Sequence, residues 1–428
     1  MSQVPEWLLA VLPKGPVAVL GDGAANIAQG LCDLGWRATA CSEREDAIRA
    51  LNTVAKSLGR GSASLLITNE SKRVAALVPR LGWSLVASGE AATVWSRHPE
   101  SRRAMGWIGE EHDVVMRQLF EAVFGHAMSA ALWQWKYGDG RGVGLGLWID
   151  GELVAHYGGN TREVLAFGQA VRACQVCDVM VAPKVRGTLA RQGPLAIITA
   201  SFLEHQIGYE QPHLIGFGFP SDRHFGVAEH LGLYQSVDEM IRFEWPAAAG
   251  AEQLCWRWRV SPLDWQALRE GGAENASVRV LWQRMAAAFV GHAIGVRSPA
   301  WLLHRYVQRP GARYEAWALR SRRRGRLEGM VVLLRHADRL ELLDLVAAPS
   351  RFGALVRMAQ GVAARATLPL VEMWITASQR VLFDTAGTER PRVERLGIQV
   401  PANAHSNGPA PAAYRGRWFL MSGDTDFR

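Results

Sequence analysis

The residues with the clearest chemical meaning lie between positions 178 and 194, where an apolar run is followed by arginines and glycines. The run 178–181 is typical of a strand, and Pro194 is typical of the first residue of a helix. Backbone amides at the start of a helix lack partners within it, and glycine lets a ligand approach the backbone closely. Arg186 and Arg191 add charge-assisted hydrogen bonds. The segment therefore predicts a binding site for a diphosphate.

The elements that must position this segment follow an α/β order through residues 113–246. The predicted elements are a helix at 114–123, a hairpin of 145–149 and 152–157 over Asp150-Gly151, a strand at 175–182, a helix at 194–207, a strand at 213–218, a helix at 222–231 and an extended segment at 234–243. Asp-Gly between two apolar runs is a strong signal for a two-residue turn. Strands and helices in this order predict a mixed sheet covered by helices.

The stretch Asp178–Gly187, with Trp135-Lys136-Tyr137 before the hairpin and Leu231-Gly232-Leu233 after it, resembles the GNAT acyltransferase family. The resemblance implies acetyl-CoA or another acyl-CoA as cosubstrate, without a metal. It also implies a set of cofactor-binding residues: Val179, Val181, Arg186, Gly187, Arg191, Gln192 and Gly193. The sequence departs from the family pattern because its two glycines, 187 and 193, are six residues apart. Either the phosphate loop is longer than usual or the helix begins at Pro194.

The mechanism that the resemblance implies needs few groups. An amine attacks the thioester, a base takes its proton, and backbone amides near the split in the central strands polarise the carbonyl. The family's usual acid, a tyrosine, falls on Ala228, so another residue must act. The candidates are His156, His224 and Tyr234. His224 is favoured because it lies one turn before Ala228 and because histidine is the side-chain type best suited to proton transfer near neutral pH. The alternatives are a core role for His156, a surface position for His224 and simple packing for Tyr234.

Residues 252–428 repeat the middle part in outline. Trp301–Tyr306 parallels Leu132–Tyr137, and the run at 342–346 parallels that at 177–181. This part resembles a second GNAT fold, which is degenerate because Ala347–Gly353 has no Arg-Gly loop. The alternative is that any two α/β domains share such an order.

Four charged features are predicted to be solvated. The basic run Arg320–Arg326 lies between two strand-like segments and fits a hairpin tip. Glu204 falls in the middle of a helix. Asp424 and Asp426 form an acidic tip near the end of the chain, and contact with a cationic substrate is their alternative role.

Residues 1–98 alternate strands with helices, and each helix is followed by a glycine suited to end it. The turn Gly21-Asp22-Gly23 and the pair Ser42-Glu43 after the second strand resemble a Rossmann-like module of the methyltransferase type. The third glycine of that fingerprint is replaced by Asn26. A methyltransferase therefore stays an alternative. Residues 99–112 are charged and predict a linker.

Composition excludes several classes of protein. Nearly half of the 428 residues, 49%, are apolar, which excludes a disordered chain. No apolar run is long enough to span a bilayer, and the N-terminus lacks the basic start of a signal peptide, so we expect a cytoplasmic protein. Five scattered cysteines argue against a disulfide framework. The one CxxC, at Cys174 and Cys177, runs into a strand and predicts buried or edge-strand thiols, since no second pair follows at zinc-site spacing.

The net charge of +8 suits anionic partners, although the basic run alone does not indicate nucleic acid. The sequence therefore predicts an α/β chain with a Rossmann-like module (1–98), a GNAT acyltransferase domain (113–246) and a degenerate GNAT-like domain (252–428). The expected activity is acyl transfer from acyl-CoA to the amine of a small molecule or sugar nucleotide, in a cleft between the two GNAT-like halves. The alternatives are a non-catalytic CoA-binding or scaffold protein and the methyltransferase.

Overall fold

The computed structural model describes most of the chain. The described residues are 4, 8, 11–12, 16–21, 23–41, 48–49, 51, 54, 58, 63–68, 72–88, 92–97, 103–186, 193–251 and 258–427. The chain divides into two compact units. The first comprises residues 1–130, 143–158 and 178–204, and the second comprises 131–142, 159–177 and 205–428.

The first unit begins with a five-stranded sheet. Its described elements are β1 (Pro16–Gly21), α1 (Ala24–Asp33), β2 (Arg37–Cys41), β3 (Ala63–Thr68), α2 (Lys72–Arg80), β4 (Trp83–Ser88) and β5 (Ala92–Arg97). The strand order is β2-β1-β3-β5-β4, with β1 parallel to β2 and β3, and β5 antiparallel to β3 and β4. These strands lie where the sequence predicted them. The predicted helix at 46–58, Asp22 and Ser42-Glu43 lie largely or wholly outside the described residues.

The middle of the chain contributes to both units. Its elements are β6 (Arg103–Trp107), α3 (Asp113–Phe124), α4 (Ala130–Tyr137), β7 (Gly142–Ile149), β8 (Glu152–Ala166), β9 (Gln169–Val181), α5 (Pro194–Gln206), β10 (Ile215–Phe217), α6 (Asp222–His230) and β11 (Tyr234–Pro246). Asp150 and Gly151 both have positive φ, 57° and 83°, which confirms the predicted two-residue turn between β7 and β8. Helix α5 begins at Pro194, which is one of the two arrangements that the sequence predicted after the phosphate-binding segment.

The linker prediction is wrong for residues 103–107. They form β6, which pairs antiparallel with β7 from Arg103 opposite Ile149 to Trp107 opposite Leu145. The charged residues around this strand suggested a linker, but Met105 within it is buried in the core. Glu204 was also predicted wrongly as solvated. Its carboxylate accepts two hydrogen bonds from the Arg80 guanidinium, both at 2.7 Å, within the first unit.

The second unit contains a large C-terminal sheet. The remaining elements of the second unit are β12 (Trp258–Pro262), α7 (Trp265–Arg269), α8 (Gly272–Ala288), β13 (Ala293–Gly295), α9 (Pro299–Tyr306), β14 (Tyr314–Ser321), β15 (Leu327–Arg335), β16 (Leu340–Ala347), α10 (Phe352–Arg365), β17 (Leu370–Thr376), β18 (Arg392–Asn403) and β19 (Trp418–Phe419). The sheet order is β12-β14-β15-β16-β17-β11-β18. Residues 322–326 are the exposed tip of the β14–β15 hairpin, which confirms that prediction.

A second seven-stranded sheet has the order β10-β9-β8-β13-β19, with β7 also paired to β8 and β6 paired to β7. There β10 is parallel to β9, and β13 pairs with β8 on one side and with β19 on the other. Strand β11 was predicted as the last segment of the middle domain (113–246), but it pairs with β17 and β18 of the C-terminal sheet. No helix among the described residues is both long enough and apolar enough to cross a membrane.

A buried histidine makes the second unit sensitive to acid. His213 Nδ1 lies 3.1 Å from the Gln206 carbonyl and Nε2 lies 2.9 Å from Thr161 Oγ1. Burial lowers the pKa of His213 to about 4, and the positive charge of Arg172 acts in the same direction. The hydrogen bond to the Gln206 carbonyl raises the pKa but does not offset burial. Because the folded pKa is below that of the unfolded chain, stability is full above about pH 6.5 and falls as the pH drops toward 4.

We therefore expect the free energy of unfolding to decrease between pH 6.5 and 4, by up to about 1.4 kcal/mol per unit of pKa shift. Urea titrations at several pH values measure it. The variant His213→Asn should be less stable at neutral pH but less dependent on pH across this interval. An identical pH dependence in the two proteins would contradict the assignment to His213.

Candidate functional site

Strand β9 carries an irregularity next to the predicted diphosphate segment. Asp178 has a φ of 48°, in the left-handed region that residues with a side chain rarely adopt. Its carbonyl oxygen lies 2.7 Å from Nδ1 of His156, within the first unit. Because a carbonyl only accepts, His156 Nδ1 must carry the proton and donate it. The buried His156 therefore fixes the conformation of the strand at Asp178.

The segment after β9 has the features needed to approach a diphosphate. A short turn at Pro183–Val185 leads to Arg186, whose Nε donates to the Val181 carbonyl at 2.9 Å. Helix α5 then begins at Pro194, and its first hydrogen bond runs from Ile197 N to the Gly193 carbonyl at 3.0 Å. Val179 and Val181 are half-buried, and Arg186 is exposed. Gly187, Arg191 and Gln192 lie outside the described residues.

A cluster of polar side chains forms around a buried lysine in the second unit. We call it the tail cluster: Lys136, Tyr137, Asn160, Cys177 and Asp426. Lys136, only 4% exposed, donates from Nζ to Asp426 Oδ2 at 2.7 Å. Cys177 Sγ lies 3.7 Å from both Tyr137 Oη and Asn160 Oδ1, and within 4.8 Å of a carboxylate oxygen of Asp426. The cluster thus combines a carboxylate, an ammonium, a phenol and a thiol.

Cys177 of the tail cluster directly precedes Asp178 in the sequence. Gly142 packs closely against the tail cluster. A Cβ atom there would lie 2.6 Å from the Lys136 carbonyl and 2.9 Å from Asn160 Oδ1. The glycine is therefore required for this packing.

The C-terminal segment 418–427 is held firmly enough to present Asp426. Arg305, a buried residue of α9, donates to the carbonyls of Gly423 at 2.9 Å and Thr425 at 3.0 Å. The backbone N–H of Met421 donates to Asp424 Oδ2 at 3.0 Å. Asp426 is thus positioned by the residues directly before it.

A buried network of four charges anchors the same segment. Arg297 donates to Asp344 and to Asp424, both at 2.7 Å, and Arg162 lies 3.4 Å from Asp424. Tyr306 Oη donates to the second oxygen of Asp344 at 3.1 Å. Although burial opposes it, the two carboxylates raise the pKa of Arg297. Burial, together with the charge of Arg297, lowers the pKa of Arg162 to about 10, although Asp424 opposes the shift.

These contacts correct the prediction of solvated carboxylates at 424 and 426. Asp424 is buried in the charge network, and Asp426 is only 12% exposed in its pair with Lys136. The error arose because a polar tip at the end of a chain is usually exposed. Here two arginines and a lysine supply the partners that burial of a carboxylate requires.

The C-terminal segment also fills an opening between β16 and β17. These parallel strands pair only at residues 340–342 of β16 and 371–373 of β17. Farther along β17, Thr376 N donates to the Leu420 carbonyl at 3.1 Å, and Ile375 bridges to Met421. On the other side, a Cβ atom at Gly423 would lie 2.8 Å from the carbonyl oxygen of Leu343 in β16. The chain therefore closes its own gap.

The other predicted catalytic residues lie elsewhere in the second unit. His224 is exposed on α6, where Nδ1 lies 2.9 Å from Ser221 Oγ in the same turn. Tyr234 is buried at the start of β11, and burial raises its pKa. It lines a cavity of about 490 Å³ with Glu229 and Arg415. The structure thus gives His156 a positioning contact and places His224 on the surface.

Lys136 and Asp426 were missed as a pair by the sequence analysis. One signal was available: only five of the 48 basic residues are lysines, and Lys136 is the one inside an aromatic run. Arginine is always charged, whereas lysine can change its protonation when buried. A lone lysine among apolar residues in an arginine-rich chain therefore points to a specific role.

Comparison with known proteins matches part of the chain to a family. Residues 109–227 match the family model described as an acetyltransferase (GNAT) domain, so this segment is a GNAT domain, as the resemblance implied. No curated protein matches the sequence significantly. The chain is similar in fold to a probable N-acyltransferase from Enterococcus faecalis V583, with a TM-score of 0.54 and 16% identity over 71% of this chain and 72% of that one.

Two further solved structures show the same similarity. A GCN5-related N-acetyltransferase from Kribbella flavida has a TM-score of 0.50 and 17% identity, covering 70% of this chain and 71% of that one. Another from Anabaena variabilis has a TM-score of 0.51 and 13% identity, covering 70% and 72%. Identities this low establish a shared fold. Together with the domain match, they support an acyl-CoA acyltransferase.

Proposed function

We propose that the chain transfers an acyl group, with acetyl as the simplest case, from acyl-CoA to the amine of a small molecule or sugar nucleotide. The observation that carries the proposal is the tail cluster. Its Cys177 lies in β9 of the GNAT domain, directly before Asp178, the residue with positive φ. A buried carboxylate beside a lysine, close to a phenol, offers acid and base groups for acyl transfer.

The cofactor part of the proposal uses the first unit. The diphosphate of CoA would bind the amides around Gly193 and Pro194 and the guanidinium of Arg186, with Gly187, Arg191 and Gln192 completing the loop. Val179 and Val181 would line the path of the thiol arm along β9. The Arg186 contact to the Val181 carbonyl supports this assignment, since it tethers the arginine to the end of β9.

The chemical steps use the tail cluster. The carboxylate of Asp426 takes the proton of the acceptor ammonium, directly or through water, because a protonated amine is not a nucleophile. The amine nitrogen bonds to the thioester carbon and the carbon–sulfur bond breaks. Tyr137 gives its proton to the CoA thiolate and regains one from the nitrogen, which leaves a neutral amide and free CoA. Lys136 holds Asp426 in place. His224 and Tyr234 are the alternative proton-transfer residues, and His156 acts through the backbone of Asp178.

The C-terminal half would not bind acyl-CoA. A GNAT fold uses the split between its central strands for the cofactor, and here residues 418–425 lie between β16 and β17. This filling supports the proposal that residues 252–428 are a degenerate GNAT-like half. Substitutions in that half can therefore serve as controls for substitutions in the proposed cofactor site.

Calorimetry with CoA, acetyl-CoA and S-adenosylmethionine tests the proposed function. Binding of the two CoA compounds, and release of free CoA on incubation with acetyl-CoA and an amine panel, would support it. Binding of CoA without turnover on any amine would favour the scaffold alternative. Binding of S-adenosylmethionine alone would favour the methyltransferase and overturn the proposal.

Replacement of Arg186 by alanine should weaken CoA binding by roughly tenfold to hundredfold, because one charge-assisted contact is lost. Arg191→Ala should behave alike. The matched control is Arg351→Ala, which follows β16 at the equivalent place in the C-terminal half and contacts Glu328 and the Trp258 ring. Equal losses in all three variants would show that the wrong half has been assigned to the cofactor.

A further inference from the structure

A groove of about 670 Å³ in the second unit has an excess of positive charge. We call it the arginine groove, and its charged and aromatic lining consists of Arg309, Arg313, Tyr314, Glu315, Arg335, His336 and Phe427. Its volume lies within the range of sites for small molecules, which is roughly 300–1,000 Å³. Three arginines face one carboxylate, so the groove suits an anion.

Two of the basic side chains already have carboxylate partners. Arg335 donates to Glu315 Oε1 from Nε at 3.1 Å and from Nη2 at 2.9 Å. His336 Nε2 lies 2.8 Å from a carboxylate oxygen of the buried Glu341. These contacts fix one wall of the groove and pair Arg335 with its carboxylate.

The other two arginines have no carboxylate ion pair among the described residues. Arg313 is exposed at the groove. Arg309 is half-buried, and its Nε is buried without a hydrogen-bond partner. Its guanidinium lies 5.7 Å from the centre of the Trp135 ring, and burial lowers its pKa. Arg309 also has a side-chain hydrogen bond to Tyr314, and an anionic ligand would supply the ion pair that it does not have among the described residues.

The groove and the tail cluster are built from neighbouring residues of the chain. Phe427, on its edge, follows Asp426 directly in the chain, and Trp135, beneath Arg309, precedes Lys136. The charge of Asp426 also acts on Arg309. A molecule that presents its amine to Asp426 therefore has the arginine groove beside it.

We propose that the acceptor is an amine that also carries a phosphate or carboxylate group, and that Arg309 and Arg313 bind this anionic group. The inference rests on the proposed function and narrows its acceptor class. Arginine matches both anions through paired N–H donors, so the groove recognises their shared geometry.

Binding of inorganic phosphate to the full chain tests the groove apart from catalysis. Calorimetry should detect phosphate binding that weakens roughly tenfold to hundredfold in Arg309→Gln and in Arg313→Gln. Arg380→Gln, which removes an exposed arginine paired with Asp384, is the matched control and should bind as the unaltered protein does. No phosphate binding, or equal binding by all four proteins, would overturn the proposal. Thermal unfolding checks that Arg309→Gln folds, and the exposed Arg313 provides an independent variant.

Acyl transfer to paired amines tests the acceptor class. With acetyl-CoA, kcat/KM should be about tenfold or more higher for glucosamine 6-phosphate than for glucosamine, or for β-alanine than for propylamine. If the preference appears in the first pair, the anionic group is a phosphate; if it appears in the second, the group is a carboxylate. In Arg313→Gln the ratio of kcat/KM within that pair should fall toward one. Equal kcat/KM within both pairs would overturn the inference and leave acyl transfer standing. Weaker CoA binding in Arg313→Gln would also overturn it, by assigning the groove to the cofactor.

Failure of the proposed function gives a different result. In that case none of the four amines is acylated, whereas phosphate binding still depends on Arg309 and Arg313. That outcome would support an anion site and contradict the acyltransferase.

Discussion

The variant Asp426→Asn is expected to lose about 10²–10⁴-fold in kcat while its affinity for CoA stays unchanged. Asparagine has the shape of aspartate and can accept a hydrogen bond from Lys136, but it cannot take a proton from the acceptor amine. The preceding residues are held by Arg305 and by the charge network, so the C-terminal segment should keep its place. Steady-state CoA release and CoA calorimetry measure the two quantities.

The matched control is Asp384→Asn, an exposed carboxylate that pairs with Arg380 one turn away. It should keep full turnover. Near-normal kcat in Asp426→Asn would remove the tail cluster from the mechanism. Thermal unfolding of each variant shows whether a loss of turnover reflects chemistry or folding.

His224→Ala separates the two assignments of the proton-transfer residue. If His224 performs this step, its variant loses about 10²-fold or more in turnover and Asp426→Asn does not. The tail-cluster proposal predicts the reverse. The exposed position of His224 and its bond to Ser221 within one turn favour the tail cluster.

Local signals explain the parts of the fold that the sequence predicts. Helix α1 stops before Gly35, whose φ of 90° suits glycine, and the Asp150-Gly151 turn sets the β7–β8 hairpin. Pro194 marks the start of α5 for the same kind of reason. In each case a few neighbouring residues decide the conformation.

Long-range pairing explains what the sequence analysis missed. Lys136 and Asp426 are 290 residues apart in the chain, and no periodicity joins them. Likewise β11 pairs with β17 and β18, which follow it by more than a hundred residues. Residues 103–107 lack a clear strand pattern until β7 supplies their partner. The GNAT resemblance supplied the proposed cofactor residues, whereas the contacts of the C-terminal segment became visible only in the structure.

The C-terminal segment should be highly sensitive to the loss of any one charge of the buried network. The charges of its two arginines and two aspartates sum to zero, and the side chains of Arg297, Asp344 and Asp424 are fully buried. Loss of one carboxylate leaves an uncompensated positive charge where water does not reach it. The cost of that change exceeds the net worth of the intact pair, because the remaining charge stays desolvated.

Asp344→Asn is therefore expected to lower the free energy of unfolding by about 3–5 kcal/mol. Asparagine keeps the size of the side chain, so the loss reports the charge and not a cavity. Urea unfolding followed by tryptophan fluorescence and by circular dichroism measures the change, and agreement between the two signals checks that one transition is observed.

Asp338→Asn is the control, since this exposed carboxylate pairs with Arg339 near the surface and should change stability by less than about 1 kcal/mol. If Asp344→Asn costs no more than this control, the network is not what holds residues 418–427 in place. If it costs the expected amount and also lowers kcat in conditions where the protein is still folded, the same network positions Asp426 for catalysis. The residues that stabilise the segment would then also determine where the acceptor amine loses its proton.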